Sequence, residues 1–153
     1  SRSLATNFLR THRASHRKPL LSASRVVISG TKPDLLIVQP ESEGNVRKAL
    51  NTVDTFCLDI SKFLGDVCVV GFRGDTVRKD PVRHVTVKAS WRSELDWNAL
   101  GIGPFSYWKI WVKKLAVFGA EEGVFSLPKT SDKHYGEAIK EKAILEQAGI
   151  GVN

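Results

Sequence analysis

From His84 to Trp91 apolar and polar residues alternate strictly, with Val85, Val87, Ala89 and Trp91 on one side and His84, Thr86, Lys88 and Ser90 on the other. A period of two predicts a half-buried strand whose polar side meets water. Val67–Phe72 is apolar throughout, which predicts a strand covered on both faces and paired with the one that follows. Arg25–Gly30 and Leu35–Gln39 are shorter runs of the same kind, and Pro40 stops the second. Between them and Gly65 the period changes. Val46, Ala49, Leu50, Val53, Phe56, Cys57, Ile60, Phe63 and Leu64 follow helical spacing, with Arg47, Lys48, Asp54, Asp59 and Lys62 opposite. That predicts one long amphipathic helix over 41–64, capped by Ser42 and ended by Gly65 in a left-handed conformation.

The second half of the chain is less regular. Residues 92–107 form a polar, then Gly- and Pro-containing connection. Residues 107–118 fit a helix through Trp108, Trp111, Val112, Leu115 and Phe118. They also fit a strand through Ile110, Val112, Leu115 and Val117 with a bulge near Lys113–Lys114, and the strand is the favoured expectation. Gly123–Pro128 is a short extended piece. Asp132–Ala148 predicts a helix that buries Tyr135, Ala138, Ile139, the Lys142 stem, Leu145 and Ala148, with Gly149 and Gly151 ending it. The expected fold class is therefore α+β (or α/β): one small domain ordered strand, long helix, two or three antiparallel strands, C-terminal helix. Double-stranded-RNA-binding domains share a similar order. Here the 92–107 connection is long and Lys129 and Lys133 stand alone, which argues against that module.

Charge divides the 153-residue chain into two parts. Residues 1–30 hold Arg2, Arg10, Arg13, Arg17, Lys18 and Arg25 and no acid, which is +6 of the net +7. Residues 31–153 hold the remaining 17 basic residues against 16 acidic ones, a balance of +1. The expected organisation is a basic N-terminal arm, 1–30, and a nearly neutral globular domain, 31–153. The arm is rich in Arg and Ser, and Leu4, Phe8 and Leu9 recur at helical spacing, the composition of an organelle targeting peptide or of what remains after its removal. The first residue is Ser, which agrees with a processed start. The chain has no apolar run near the length of a membrane-spanning helix, so no transmembrane segment is expected.

Sites for chemistry are sparse. Cys57 and Cys68 are two thiols eleven residues apart, too few for a disulfide framework or a zinc site, and both are expected to be buried and unreactive. His12 and His16 lack an acidic partner and neighbour Arg13 and Arg17, which would repel a metal ion. His84 and His134 are expected at the surface. Gly101-Ile-Gly103 lacks the third glycine and the setting of a dinucleotide motif. Arg73-Gly74-Asp75 reads as turn chemistry. No catalytic, cofactor-binding or metal-binding residue is assigned, and the expected cofactor set is none.

One cluster departs from this. Trp91, Trp97, Phe105, Tyr107, Trp108 and Trp111 lie close together in sequence with Arg92, Lys109, Lys113 and Lys114. Aromatics among cations can stack on single-stranded bases or anchor a protein interface. Trp91 and one of Trp108 and Trp111 are expected in the core. Trp97, Tyr107, Trp108, Lys109, Trp111, Lys113 and Lys114 are the candidate partner-binding residues of the body, as Arg2, Arg10, Arg13, Arg17 and Lys18 are of the arm. The expected function is a non-catalytic accessory subunit of a large organellar assembly, on the mitochondrial matrix side, such as a respiratory-chain or ATP synthase complex. Its partners would be other protein subunits. The alternative is an RNA-binding ribosomal or capsid-type protein that grips RNA through residues 1–30.

Overall fold

The alternation of side chains along each strand sorts the apolar residues into two cores. The computed structural model describes residues 25–39 and 57–153. Within β4 (Asp66–Val70), Val67 and Val69 join one core while Cys68 and Val70 join the other. Val124 and Phe125 of β7 (Glu122–Ser126) divide in the same way. A central sheet with apolar residues on both faces must be covered twice. On one side lies a second sheet, and on the other lie helices.

The central sheet has four strands in the order β2 (Leu35–Val38), β4, β7, β6 (His84–Lys88). β2 runs parallel to β4 with Leu36 opposite Val67, and β7 is antiparallel to both β4 and β6. The second sheet is parallel throughout and ordered β1 (Arg25–Val27), β3 (Cys57–Asp59), β5 (Val77–Arg78). Val26, Ile28, Leu58, Ile60, Phe63, Phe72 and Val77 fill the space between the sheets with Leu36, Val38, Val67, Val69 and Val124. Val26 and Ile28 are thus part of the folded body.

The other face carries α1 (Trp91–Glu94), α2 (Trp97–Leu100), α3 (Tyr107–Phe118) and α4 (Tyr135–Gln147). Trp108, Trp111, Val112 and Leu115 of α3, spaced i, i+3, i+4, i+7, pack over Val85, Val87 and Phe125. The Ser106 hydroxyl accepts the Trp108 N–H at 3.1 Å to start α3, and Gly119, at φ +65°, ends it. Leu145 of α4 and Val152 complete this core.

The mixed α+β class, the strands at 35–38, 66–70 and 84–88, the extended piece at 122–126 and the helix at 135–147 agree with the sequence reading. Several expectations are corrected. The helix expected over 41–64 gives way at residues 57–64 to β3 and a turn, in which the Phe63 N–H bonds to the Ile60 carbonyl at 3.0 Å. Its portion 40–56 lies outside the described residues. Gly65 is not left-handed; it is needed for close approach. Residues 107–118 are helical. β4 and β6 do not pair, because β7 lies between them and residues 71–83 are used to form β5. β6 ends at Lys88, and Trp91 opens α1. The 92–107 connection contains α2, capped by Asp96 accepting the Ala99 N–H at 3.1 Å. His84 and Thr86 do not meet water: the segment 74–80 covers them, with Gly74 against the Thr86 side chain.

Candidate docking surface

Helix α3 presents different residues on each side, and these divide the aromatic and basic cluster. Trp108, Trp111, Val112 and Leu115 face inward. Trp108 is 0% exposed, and its ring lies edge-on to Trp111 at 5.1 Å between centroids. Trp111 stacks on Phe125 at 5.2 Å. Two of the candidate partner-binding aromatics are therefore core residues, because α3 is a helix whose buried stripe includes both.

On one flank, Lys109, Lys113 and Ala116 of α3 meet Trp97 of α2 and Arg92 of α1. With Pro104 and Phe105 they line an open cleft of about 660 Å³. The Lys109 ammonium stands 5.9 Å from the centre of the Trp97 ring, a cation–π contact. Arg92, Lys109 and Lys113 line this cleft, and no carboxylate does. Its apolar surface is unusually open: Phe105 is 91% exposed, Val117 74% and Ile110 49%. Large apolar side chains grouped around a concavity and rimmed by charge mark a surface that meets a partner.

On the other flank, Tyr107 and Lys114 line a separate cleft of about 440 Å³ with Leu35, Ile37 and Cys68. Trp111 contributes its small exposed part, and Tyr107 stacks against it at 5.8 Å. Burial pushes the Cys68 thiol up, against the lowering effect of Lys114. Cys57 and Cys68 are both free; Cys68 is buried as expected, whereas Cys57 is only half-buried.

Of the expected residues, Trp97, Lys109 and Lys113 are thus brought together. Tyr107 and Lys114 lie on the opposite flank, and Trp108 is enclosed. Arg2, Arg10, Arg13, Arg17 and Lys18 lie outside the described residues. Sequence reasoning missed Ile110 and Val117. Their signal was present as two apolar residues outside the buried stripe of a helical 107–118.

Among the described residues no group of three His, Cys, Asp or Glu side chains is placed to hold a metal ion. No helix among them is long and apolar enough to cross a membrane. His134 is exposed ahead of α4, as expected, with its backbone N–H on the Asp132 carboxylate at 2.8 Å. The chain matches no protein-family model, no curated protein and no solved structure with which it was compared.

Proposed function

We propose that this chain is a non-catalytic accessory subunit of a larger protein assembly, docked through the cleft between α2 and α3. The observation that carries the reading is the pairing of exposed Phe105, Ile110 and Val117 with a rim of Arg92, Lys109 and Lys113. The occupant that fits is a partner-protein segment bearing apolar anchors flanked by Asp or Glu. Aliphatic walls suit an inserted apolar side chain, and the cationic rim complements acidic flanks. The Arg- and Ser-rich, acid-free composition of residues 1–24 supports an organellar assembly, on the mitochondrial matrix side, of the respiratory-chain or ATP synthase kind.

The RNA-binding alternative receives less support from the body. Lys109 lies over the ring of Trp97, and Trp108 and Trp111 are packed in the core, so the cluster offers few free rings for base stacking. A photo-crosslinking residue at Val117 in the full chain, irradiated in extract of the source cells, tests the reading. A crosslink to a protein segment of net negative charge, lost in Lys109→Glu/Lys113→Glu, is the expected result. A crosslink to RNA, or none at all, overturns it.

A further inference from the structure

A smaller pocket of about 280 Å³ lies where the start of α3 meets α4, and its chemistry is opposite to that of the cleft. One side of α4 supplies His134, Glu137 and Glu141, at i, i+3 and i+7, while Phe105, Ser106 and Tyr107 form the facing wall. Glu141 occupies a position on the buried stripe of α4 between Ala138 and Leu145, where an apolar residue would be ordinary. It is 5% exposed, and its Oε2 has no hydrogen-bond partner.

The other contacts account for only part of this carboxyl. The Ser106 hydroxyl accepts the Trp108 N–H, and its polarity favours the charged form of Glu141. Neither Glu137 nor Glu141 forms an ion pair with any described residue; the ion pair on α4 joins Lys142 to Glu146 at 3.6 Å. Burial, and after it the charge of Glu137, push the Glu141 carboxyl up, against the opposing effect of Ser106. A buried carboxyl with an orphaned oxygen is costly unless a cation or a proton completes it.

We infer that this pocket receives an organic cation, an ammonium or guanidinium on an apolar stem. The charged head pairs with the Glu137 carboxylate and favours the ionised form of Glu141, whose Oε2 is buried. The stem lies along Phe105 and the Tyr107 ring, which meets His134 edge-on at 5.8 Å between centroids. Aromatic walls beside carboxylates suit both parts of such a ligand. The source is either a Lys or Arg side chain of another polypeptide or a free amine. Its charged residues, Glu137 and Glu141, lie outside the cationic cleft, although Phe105 lines both sites, and the inference does not depend on the accessory-subunit reading.

The test follows the Glu141 carboxyl carbon by NMR in the full chain labelled with 13C-glutamate, assigned with Glu141→Gln. The probes are n-butylammonium, n-butylguanidinium and a blocked arginine dipeptide, each against sodium chloride of equal ionic strength. Saturable shifts are expected, with the protonation midpoint of Glu141 falling when the probe is bound. Glu137→Gln, which changes an exposed residue and leaves the fold intact, should weaken binding about tenfold by removing one charged contact. Tighter binding of the arginine dipeptide than of either alkyl cation identifies a polypeptide source, and the reverse identifies a free amine. Shifts that grow linearly with concentration and leave the midpoint unmoved overturn the site and make Glu141 a structural acid that keeps its own proton.

Discussion

The indole N–H of Trp108 donates to the backbone carbonyl of Ala138 at 3.2 Å. This bond ties α3, which walls the cationic cleft, to α4, which walls the acidic pocket. Trp108 also packs against Trp91 and Trp111, so it holds both sites through a single buried ring. Trp108→Phe should keep most of the packing and lose the bond, costing about 1–3 kcal/mol. Trp108→Ala should cost about 3–5 kcal/mol. Urea unfolding followed by far-UV circular dichroism measures both. A Trp108→Phe variant as stable as the wild type would show that the bond contributes nothing.

Acid should unfold the protein through His84. Its Nδ1 accepts the Asp80 N–H at 3.0 Å, while its buried Nε2 has no partner. Burial first, and the charge of Arg83 after it, lower its pKa from 6.5 to about 4; Asp80 acts in the opposite direction and Lys79 in the same. Between these values the unfolded chain binds a proton that the folded chain does not. Stability therefore rises with pH across this window and is lost as pH falls through it, by roughly 3 kcal/mol from this group. His84→Asn, which can still accept the Asp80 N–H, should flatten that slope in urea midpoints measured from pH 7 to pH 4. An unchanged slope would contradict the assignment.

Gly65 is required by space. A Cβ there would lie 2.6 Å from the Pro33 carbonyl oxygen, 2.9 Å from that of Asp34 and 2.5 Å from the Phe63 ring. Two of these three neighbours are backbone. The turn is further held by Arg83, whose guanidinium donates to the carbonyls of Phe63, Leu64 and Gly65 at 2.9, 3.0 and 3.2 Å. Gly65→Ala should destabilise by about 1–3 kcal/mol, as overpacking does. Gly151→Ala, where an added Cβ meets nothing within 4 Å, should change stability by less than about 0.5 kcal/mol. Equal thermal midpoints for the two variants would refute the steric account.

Most strands of the central sheet were readable locally, His84–Lys88 from its period of two and Val67–Val70 from an unbroken apolar run. The period of 3.6 made α4 readable. Of the second sheet only β1 was readable, within the run Arg25–Gly30; β3 and β5 have three and two residues, too few for a pattern, and the three strands find one another across long separations. Cys57, Ile60, Phe63 and Leu64 match helical spacing although three belong to a strand or the turn after it, and Leu64 is half exposed. The same missing layer explains His84: its side of β6 is polar in sequence and dry in the fold. In α3, Ile110 and Val117 blurred the buried stripe and imitated a strand. Those same residues edge the cleft, so the feature that misled the secondary-structure reading belongs to the candidate site. Glu141 was hidden differently, as one charged residue on a stripe otherwise read from its apolar members.

The measurement that tests the account most directly is the native mass at which the endogenous protein elutes, with and without ribonuclease, compared with a Lys109→Glu/Lys113→Glu/Phe105→Ala variant of the full chain. These are surface positions, so the variant should fold. The account predicts a large assembly that ribonuclease leaves intact and from which the variant is released. Collapse of the assembly on ribonuclease treatment would assign the contact to RNA. Elution of the wild type as a free monomer would contradict the accessory-subunit reading altogether.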